Sequence, residues 1–294
     1  MPFLEYCEMK NVWKIHGDYS SYALITGAAS GMGRAYALRL AAMGYNLLLV
    51  DINGDGLCQT ARLAQDEVAS AAGNGEDADR AGRFRAVVLV QDLSLQDAAS
   101  EVSAKADALG CDVEILVNNA GMFFFRETAE VPQKYLSRMM MLHNYTPLML
   151  CREFVPKMKA RGKGYVLNIS SLAAWMPWPG VGMYGNTKRF IKGFSRSLRI
   201  ECLGSGVSVT AAYFGAVDTG LFGLPPAYRK LARRLGVMVS VDRAVDSALR
   251  AMFRRRRSTM PGLVNHIFRP LMLLLPDRLL HWLYRRLEFV WTKF

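Results

Sequence analysis

The sequence predicts an α/β protein with a single doubly wound parallel sheet, helices on both faces and a C-terminal helical extension. Short apolar runs alternate six times with segments of helical composition. No internal repeat or long Gly/Ser linker interrupts this alternation. Strands and helices that alternate in this way form parallel sheets with right-handed crossovers. We therefore expect one domain over 21–262, preceded by an extension (1–20) and followed by an amphipathic helical segment (263–294).

The predicted strands are short apolar runs that are bounded by turn residues. They are YALIT (22–26), NLLLV (46–50), FRAVVLV (84–90), VEILV (113–117), GYVLNIS (164–170) and GVSVTAAYF (206–214). The predicted helices are RAYALRLAAM (34–43), LCQTARLAQDEVASAA (57–72), LQDAASEVSAKADAL (95–109) and residues 132–160 and 183–203. The low-complexity segment 69–83 is expected to be a surface loop. Pro147 has no N–H for the carbonyl of His143, so we expect the long helix to bend there.

Composition indicates an ordinary globular protein, with 51 % hydrophobic and 21 % charged residues. The five cysteines, at positions 7, 58, 111, 151 and 202, are scattered. They lack the spacing of metal ligands, so we expect reduced thiols and no metal site. The N-terminus lacks the apolar core of a secretory signal. A cytoplasmic location is therefore expected.

The formal net charge of +12 lies largely in the C-terminal third. No aromatic residues interleave with the basic ones in the manner of a nucleic-acid-binding module, so the sequence predicts no nucleic-acid partner. In residues 262–294 apolar residues alternate with Arg, and no uncharged run reaches the roughly 18 residues that span a bilayer. Amphipathic helices of this kind can lie on a membrane surface, pack on a partner subunit or cover an active site. These three alternatives stay open.

The first strand leads into the turn TGAASGMG (26–33), which opens a helix. Gly27, Gly31 and Gly33 permit a tight turn and a close approach of the backbone to a pyrophosphate at the helix N-terminus. Ser30 adds a hydroxyl donor. The sequence therefore predicts a dinucleotide site here.

Asp51 ends the second strand, eighteen residues after Gly33. An acidic side chain at this place accepts hydrogen bonds from an adenosine ribose and repels a 2′-phosphate. No basic residue lies in VDINGDG (50–56). We therefore expect NAD(H) to be favoured, with NADP(H) left open. Arg34 is expected to be a surface residue.

Residues 168–188, NISSLAAWMPWPGVGMYGNTK, bring together three side chains suited to proton transfer. Tyr184 and Lys188 are four residues apart, which places them on one face of a helix. A nearby ammonium group lowers the pKa of a phenol, which is near 10 when unperturbed. Ser171 precedes Tyr184 by thirteen residues, although Ser170 is an alternative hydroxyl.

Together these motifs resemble the short-chain dehydrogenase/reductase family over residues 21–262. NNAG (118–121) resembles the family's cofactor platform, VQDLS (90–94) its acidic adenine contact, and LHNYTP (142–147) the segment that carries its catalytic asparagine. Within the family, the chain is similar to the branch of 17β-hydroxysteroid dehydrogenases and very-long-chain 3-oxoacyl-CoA reductases. The resemblance implies a Rossmann-like fold and NAD(P)-dependent chemistry on a CH–OH group. It also implies a homo-oligomer, a dimer or tetramer paired through the helices at 132–160 and 183–203.

The family motifs imply a set of site residues. The catalytic residues would be Asn144, Ser171, Tyr184 and Lys188. The cofactor-binding residues would be Gly27, Ser30, Gly31, Met32, Gly33, Asp51, Ile52, Asp92, Leu93, Asn119, Ala120, Gly121, Tyr184, Lys188, Val217 and Thr219. In this assignment Tyr184 transfers a proton, Ser171 holds the substrate oxygen, and Lys188 lowers the tyrosine pKa and binds the nicotinamide ribose. Asn144 anchors a water molecule. His143 receives no role.

The segments around these residues are rich in large apolar side chains, which suit a hydrophobic substrate. The predicted substrate-binding residues are Trp175, Met176, Trp178, Phe214 and Phe222. Phe214 also departs from the family, which usually has proline at this position. We expect a secondary alcohol/ketone pair, hydroxysteroid-like or 3-oxoacyl-like. The alternative is a catalytically silent NAD-binding redox sensor or membrane scaffold.

Overall fold

The computed structural model describes residues 17–71, 79, 81–219, 230, 238–262, 265–266 and 274–286. Residues 1–16, the middle of the predicted loop 69–83, Phe222 and much of the C-terminal segment lie outside the described residues. The strands in the described part are β1 (Tyr22–Thr26), β2 (Asn46–Asp51), β3 (Ala86–Val90), β4 (Val113–Asn118), β5 (Gly164–Ser171), β6 (Val207–Phe214), β7 (Ala216–Val217), β8 (Met238–Val239) and β9 (Ser258–Thr259). The main helices there are α1 (Gly31–Ala42), α2 (Gly54–Ala71), α3 (Ala98–Ala108), α4 (Gln133–Met140), α5 (Thr146–Ala160), α6 (Gly182–Glu201), α7 (Val241–Phe253) and α8 (Asp277–Arg286).

Seven of these strands form one parallel sheet in the order β3-β2-β1-β4-β5-β6-β9. The predicted doubly wound α/β fold is therefore confirmed, with all six predicted strands in place. The seventh strand, β9, was not predicted because two polar residues after an arginine run carry no apolar signal. The strand order changes direction between β1 and β4. Ligands of open parallel sheets bind at the carboxyl ends of the strands at such a point.

The sheet separates two hydrophobic cores. In β2, Leu47 and Leu49 pack in one core with α1, α2 and α7, whereas Leu48 and Val50 pack in the other with α3, α5 and α6. All four side chains are fully buried. This is the burial on both faces that the uninterrupted apolar run NLLLV predicts for a central parallel strand.

The helical region predicted at 132–160 is interrupted rather than continuous. A wider π-type turn, Met141–Tyr145, separates α4 from α5, and the N–H of Thr146 bonds to the carbonyl of Met141, five residues back. Pro147 then lacks the N–H that would continue an α-helical ladder. The bend expected at His143 is thus a local widening of the helix, and His143 and Asn144 both lie on it.

Within the C-terminal third of the chain, α7 is followed by the arginine run 254–257. Arg255 donates to the carbonyl of Gly206, and its guanidinium lies 5.3 Å from the ring centroid of Tyr165. This arginine therefore contacts the domain although its side chain remains exposed. Of the helices in the described ranges, none combines the length and the apolar character that crossing a bilayer requires.

Candidate active site

A cleft of about 550 Å³ lies at the carboxyl ends of β1, β2, β4 and β5, where the strand order reverses. Its lining unites most of the predicted site residues: Gly27, Ser30, Gly31, Met32, Asp51, Asn119, Ala120, Gly121, Ser171, Tyr184, Lys188, Phe214, Val217 and Thr219. Sequence positions from 27 to 219 thus meet in one place. The cleft also contains Met122, Ile169 and Gly215, which the sequence analysis did not single out. Ser170, the alternative hydroxyl, and His143, which received no role, line it as well.

The glycine turn at the start of α1 has the conformation that its sequence predicts. Gly27 and Gly31 have positive φ angles of 69° and 53°, which L side chains rarely adopt. A Cβ on Gly27 would lie 2.9 Å from the Cα of Ala120, and a Cβ on Gly33 would overlap the carbonyl oxygen of Gly27. The turn leaves its backbone exposed to the cleft at the N-terminus of α1, and this geometry fits a pyrophosphate.

The cofactor platform after β4 is joined to this turn by hydrogen bonds. The backbone N–H groups of Asn119 and Ala120 donate to the hydroxyl of Thr26 at 2.9 and 3.0 Å. The side-chain amide of Asn119 donates to the carbonyls of Thr26 and Gly27. The two cofactor-facing segments are thus held as one unit.

Asp51 lies on the cleft with its carboxylate oriented by two backbone donors. Its oxygens accept hydrogen bonds from the N–H groups of Ala29, at 3.1 Å, and Asn53, at 3.0 Å. Arg34 is half-buried rather than a surface residue. Its guanidinium donates to Thr60 and to the carbonyl of Ala29.

Ser171, at the end of β5, is placed to act on Tyr184. Its hydroxyl accepts from the N–H of Ala173 and donates to the carbonyl of Phe214 at 3.2 Å. Burial raises the pKa of Tyr184, and a hydrogen bond with Ser171 partly offsets that rise. Ser170 instead donates to the carbonyl of Lys188. Of the two serines, Ser171 is therefore the one that affects the tyrosine pKa.

Burial shifts the pKa values of both Tyr184 and Lys188. Burial of the phenol raises the pKa of Tyr184, and the group that lowers it is Ser171 rather than Lys188. The lowering of the tyrosine pKa by Lys188 stays a prediction. Burial also lowers the pKa of Lys188 to about 8. The Lys188 Nζ donates to the carbonyl of Ile169 at 3.1 Å and lies 5.7 Å from the centroid of the tyrosine ring.

Asn144 lies behind the cleft lining, next to α6. Its side-chain amide donates to the carbonyl of Thr187 at 2.9 Å. Its Oδ1 is buried and has no hydrogen-bond partner among the described residues. A buried acceptor of this kind takes a hydrogen bond when a donor such as water is available.

His143 is the clearest residue that the sequence analysis missed. It lines the cleft, its side chain is 1 % exposed, and its ring meets that of Tyr184 edge to face at 5.7 Å. A signal was available, because the chain has only four histidines and this one adjoins Asn144. A buried imidazole in an apolar helix needs partners for both ring nitrogens.

Three other predicted cofactor residues, Asp92, Leu93 and Ile52, are not part of the cleft lining. Burial alone would raise the pKa of Asp92, but the hydroxyl and N–H of Ser94, together with Arg138, reverse this and lower it. Leu93 is a core residue whose carbonyl accepts from Thr146. Ile52 is 55 % exposed. Roles for these residues in cofactor binding stay predictions.

The predicted substrate residues are dispersed. Phe214 lines the cleft, whereas Trp175 does not. A 3₁₀ turn over Leu172–Trp175 brings this tryptophan back onto β6, where its ring packs against Tyr213 at 4.7 Å in a small core cluster. Met176 packs against the same cluster, and Trp178 is half-buried outside the lining. Phe222 lies outside the described residues.

The chain belongs to the short-chain dehydrogenase family, whose model matches residues 21–224. The chain is similar to a very-long-chain 3-oxoacyl-CoA reductase of Pyricularia oryzae, with 29 % identity over 66 % of this chain and 55 % of that enzyme. It is also similar to retinol dehydrogenase 10 of Xenopus tropicalis, with 28 % identity over 68 % of this chain and 62 % of that protein. The matched region thus spans less than two thirds of either relative's length.

Solved structures agree with this family. A short-chain dehydrogenase from Sphingobium yanoikuyae in complex with NADPH has a TM-score of 0.70 and 27 % identity, over 87 % of this chain and 97 % of that one. A bulky-bulky ketone specific alcohol dehydrogenase from Comamonas testosteroni has a TM-score of 0.69 and 26 % identity, over 88 % and 96 %. In the described part of this chain, no three His, Cys, Asp or Glu side chains are grouped as metal ligands.

Proposed function

We propose that the protein is an oxidoreductase that transfers a hydride between NAD(H) and a hydrophobic secondary alcohol/ketone pair. The observation that carries this proposal is the convergence of Ser171, Tyr184 and Lys188 with the glycine turn on one cleft. The residues of the turn and the platform fit a dinucleotide, because side chains at Gly27 or Gly33 would obstruct the backbone that faces it. When bound, the nicotinamide supplies or accepts the hydride.

Each catalytic side chain has a separate task. In reduction, Tyr184 donates its phenolic proton to the carbonyl oxygen, and its raised pKa keeps the phenol protonated near neutral pH. Ser171 donates a hydrogen bond to the same oxygen and stabilises the negative charge that develops there. In oxidation, the phenolate form takes the proton back from the alcohol.

The proton that Tyr184 loses is replaced through Lys188 and Asn144. Lys188, with its pKa lowered to about 8, can give up a proton at a modest energetic cost. The unpartnered Oδ1 of Asn144 is suited to holding a water molecule behind α6. We therefore assign Asn144 to proton relay.

A hydrophobic substrate is supported by the lining and by the relatives. Met122, Ile169 and Phe214 present apolar surface to the cleft. The similar proteins include enzymes named for 3-oxoacyl-CoA, retinol and bulky ketones. A sterol-like or fatty-acyl ketone would suit these surroundings.

The test of this function is a turnover assay of the purified full-length protein with NADH and with NADPH. Steroid ketones, retinal and 3-oxoacyl thioesters form the substrate panel. Cofactor oxidation that depends on a panel ketone is the expected result. Tight cofactor binding without turnover on any panel member would instead favour the silent sensor or scaffold.

Cofactor choice gives a prediction that concerns Asp51. The Asp51→Asn variant is expected to bind NADPH more tightly by at least about 10-fold, because a carboxylate near the ribose repels a 2′-phosphate. Its affinity for NADH should change much less, since the asparagine amide oxygen can still accept the hydrogen bond from Ala29. Fluorescence titration of the wild-type protein and of Asp51→Asn with NADH and with NADPH measures the ratio of the two dissociation constants for each protein.

The matched control is Asp55→Asn, which removes the same charge four residues later from an exposed position in the first turn of α2. This control should leave the NADH/NADPH ratio unchanged. A wild-type protein that prefers NADPH would contradict the role of Asp51, as would an unchanged ratio in Asp51→Asn.

We further propose that α8 binds an anionic membrane surface. Leu280 and Tyr284 are buried on one side of this helix, while Leu279 and Trp282 are 40 % and 54 % exposed. The guanidinium of Arg286 lies 5.7 Å from the Trp282 ring centroid, and Arg278 is also exposed. Exposed Trp and Leu flanked by Arg suit the boundary between acyl chains and anionic headgroups. The homo-oligomer that the family resemblance implies stays a prediction.

Vesicle sedimentation tests the membrane proposal. With phosphatidylserine-containing vesicles, the wild-type protein should sediment and the Leu279→Ser/Trp282→Ser variant should not, because the apolar contact with the bilayer is lost. Leu95→Ser/Leu109→Ser removes two leucines of comparable exposure elsewhere and should sediment like wild type. Equal sedimentation of the two double variants would contradict the assignment to α8.

A further inference from the structure

His143 connects two parts of the active site that lie on different elements. Its Nε2 is 2.9 Å from the backbone N–H of Met122, in the platform loop after β4. Its Nδ1 is 2.9 Å from the hydroxyl of Thr187, on α6 between Tyr184 and Lys188. A Cβ on Gly121 would lie 3.1 Å from Nε2, so the platform packs directly on the ring.

The hydrogen bonds define the protonation of the ring. The N–H of Met122 can only donate, so Nε2 must accept and carries no proton. The Thr187 hydroxyl is 2.7 Å from the carbonyl of Tyr184 and donates its proton there. This hydroxyl is then an acceptor toward the ring, and Nδ1 must donate to it. The result is one directional chain from Nδ1–H through Thr187 to the backbone of Tyr184.

The surroundings of the ring favour this neutral form. Burial lowers the pKa of His143 well below its usual value, and the positive charge of Lys188 adds to the effect. Tyr184 and Lys188 are the titratable groups that face the ring from α6. Residues 119–122 of the platform contribute no titratable side chain. A protonated ring would also carry a proton on Nε2. Its N–H would then face the N–H of Met122, and two donors repel each other.

The ring also restrains the phenol of Tyr184 directly. His143 meets one side of the tyrosine ring edge to face at 5.7 Å, and Phe123 meets the ring at 5.1 Å with an interplanar angle of 84°. Both His143 and Asn144 lie on the π-type turn Met141–Tyr145. Here both His143 and Asn144 reach Thr187.

We propose that His143, neutral and protonated on Nδ1, is a positioning residue that fixes the Tyr184 phenol relative to the cofactor platform. This inference rests on the proposed function, because the distance between platform and phenol sets the geometry in which hydride and proton are transferred. His143 itself does not exchange a proton with the substrate.

Kinetics of His143 variants test the positioning. His143→Ala is expected to lower kcat about 30-fold while changing the Kd for NADH less than about 3-fold, because displacement by about 1 Å can cost up to 100-fold in rate. His143→Gln, whose amide oxygen can still accept from Met122, should recover part of the loss. Thr187→Val should resemble His143→Ala, and the double variant should be no worse than either single variant if both act through one chain.

Two controls separate positioning from general damage. His266→Ala, at an exposed histidine away from the cleft, should leave kcat unchanged. Urea denaturation of His143→Gln should show a folded protein. An unchanged kcat in His143→Ala would overturn the proposal, as would additive losses in the double variant.

A spectroscopic test works without any substrate. In protein labelled with ¹⁵N-histidine, the His143 ring should show the Nδ1-protonated pattern and no titration between pH 5 and 8. Nuclear Overhauser contacts to the Tyr184 ring should disappear in Thr187→Val as the ring reorients. A ring that is protonated on Nε2, or that titrates near its ordinary pKa, would overturn the proposal. If the wild-type protein turns over no panel ketone, the proposed function fails while these spectra still decide on the hydrogen-bonded chain.

Discussion

Tyr184→Phe is expected to lower kcat for ketone reduction by about 10³-fold, because general acid catalysis contributes about 10² to 10⁴ to enzyme rates. Phenylalanine keeps the ring that packs edge to face on Phe123 and His143. Only the proton donor and its hydrogen bond with Ser171 are lost. Stopped-flow measurement of NADH oxidation with the best panel ketone gives the ratio of rates.

The matched control for this variant is Tyr135→Phe. Tyr135 is 42 % exposed on α4 and lies outside the cleft lining, so its hydroxyl should not affect the rate. In both variants the Kd for NADH should stay within about 3-fold of the wild-type value. Such a change corresponds to less than about 1 kcal/mol of binding free energy. A Tyr184→Phe enzyme that keeps more than a tenth of the wild-type kcat would exclude the phenol as the proton donor.

Gly33→Ala should both destabilise the fold and abolish tight cofactor binding. The new methyl group would overlap the carbonyl oxygen of Gly27 and approach the Asn119 amide nitrogen to 2.9 Å. The carbonyl oxygen of Gly27 is a backbone atom and cannot move aside as a side chain can. The start of α1 must therefore move away from the turn to make room for the methyl group. Overpacking of this kind lowers the free energy of unfolding by about 1 to 3 kcal/mol. Urea denaturation and NADH titration measure the two losses.

Gly193→Ala is the control with the same change of side chain. Gly193 is an exposed residue within α6, and nothing lies within 4 Å of an added Cβ. Alanine should therefore raise the free energy of unfolding by up to about 1 kcal/mol, since glycine is a poor helix former. Opposite signs at the two glycines are the expected pattern. Equal changes in the free energy of unfolding at the two positions would mean that the close contact with Gly27 does not exclude a side chain at position 33.

Much of this architecture could be predicted because its signals are local. NLLLV indicates a buried central strand, and the glycines of TGAASGMG anticipate the two positive φ angles and the close contact at Gly33. The spacing of Tyr184 and Lys188 likewise follows from one helical turn. In each case the feature is determined by residues that are close together in the sequence.

Features that depend on distant contacts were harder to predict. Trp175 follows the predicted catalytic serine by only four residues, yet a single 3₁₀ turn directs its ring to the core beside Tyr213. The upward shift of the Tyr184 pKa reflects burial by the whole fold rather than the nearby lysine. His143 acquires its role only because the platform loop brings Met122 to its Nε2.

The central claim is that this cleft transfers a hydride to a carbonyl carbon while Tyr184 protonates the oxygen. The most direct measurement uses NADH carrying deuterium at both C4 positions, with mass spectrometry of the alcohol that forms from each panel ketone. For at least one ketone the account predicts one deuterium on the carbinol carbon, introduced about 10³-fold faster by the wild-type protein than by Tyr184→Phe. Tight NADH binding with no labelled alcohol from any ketone would contradict it, as would equal rates of labelling by the two proteins.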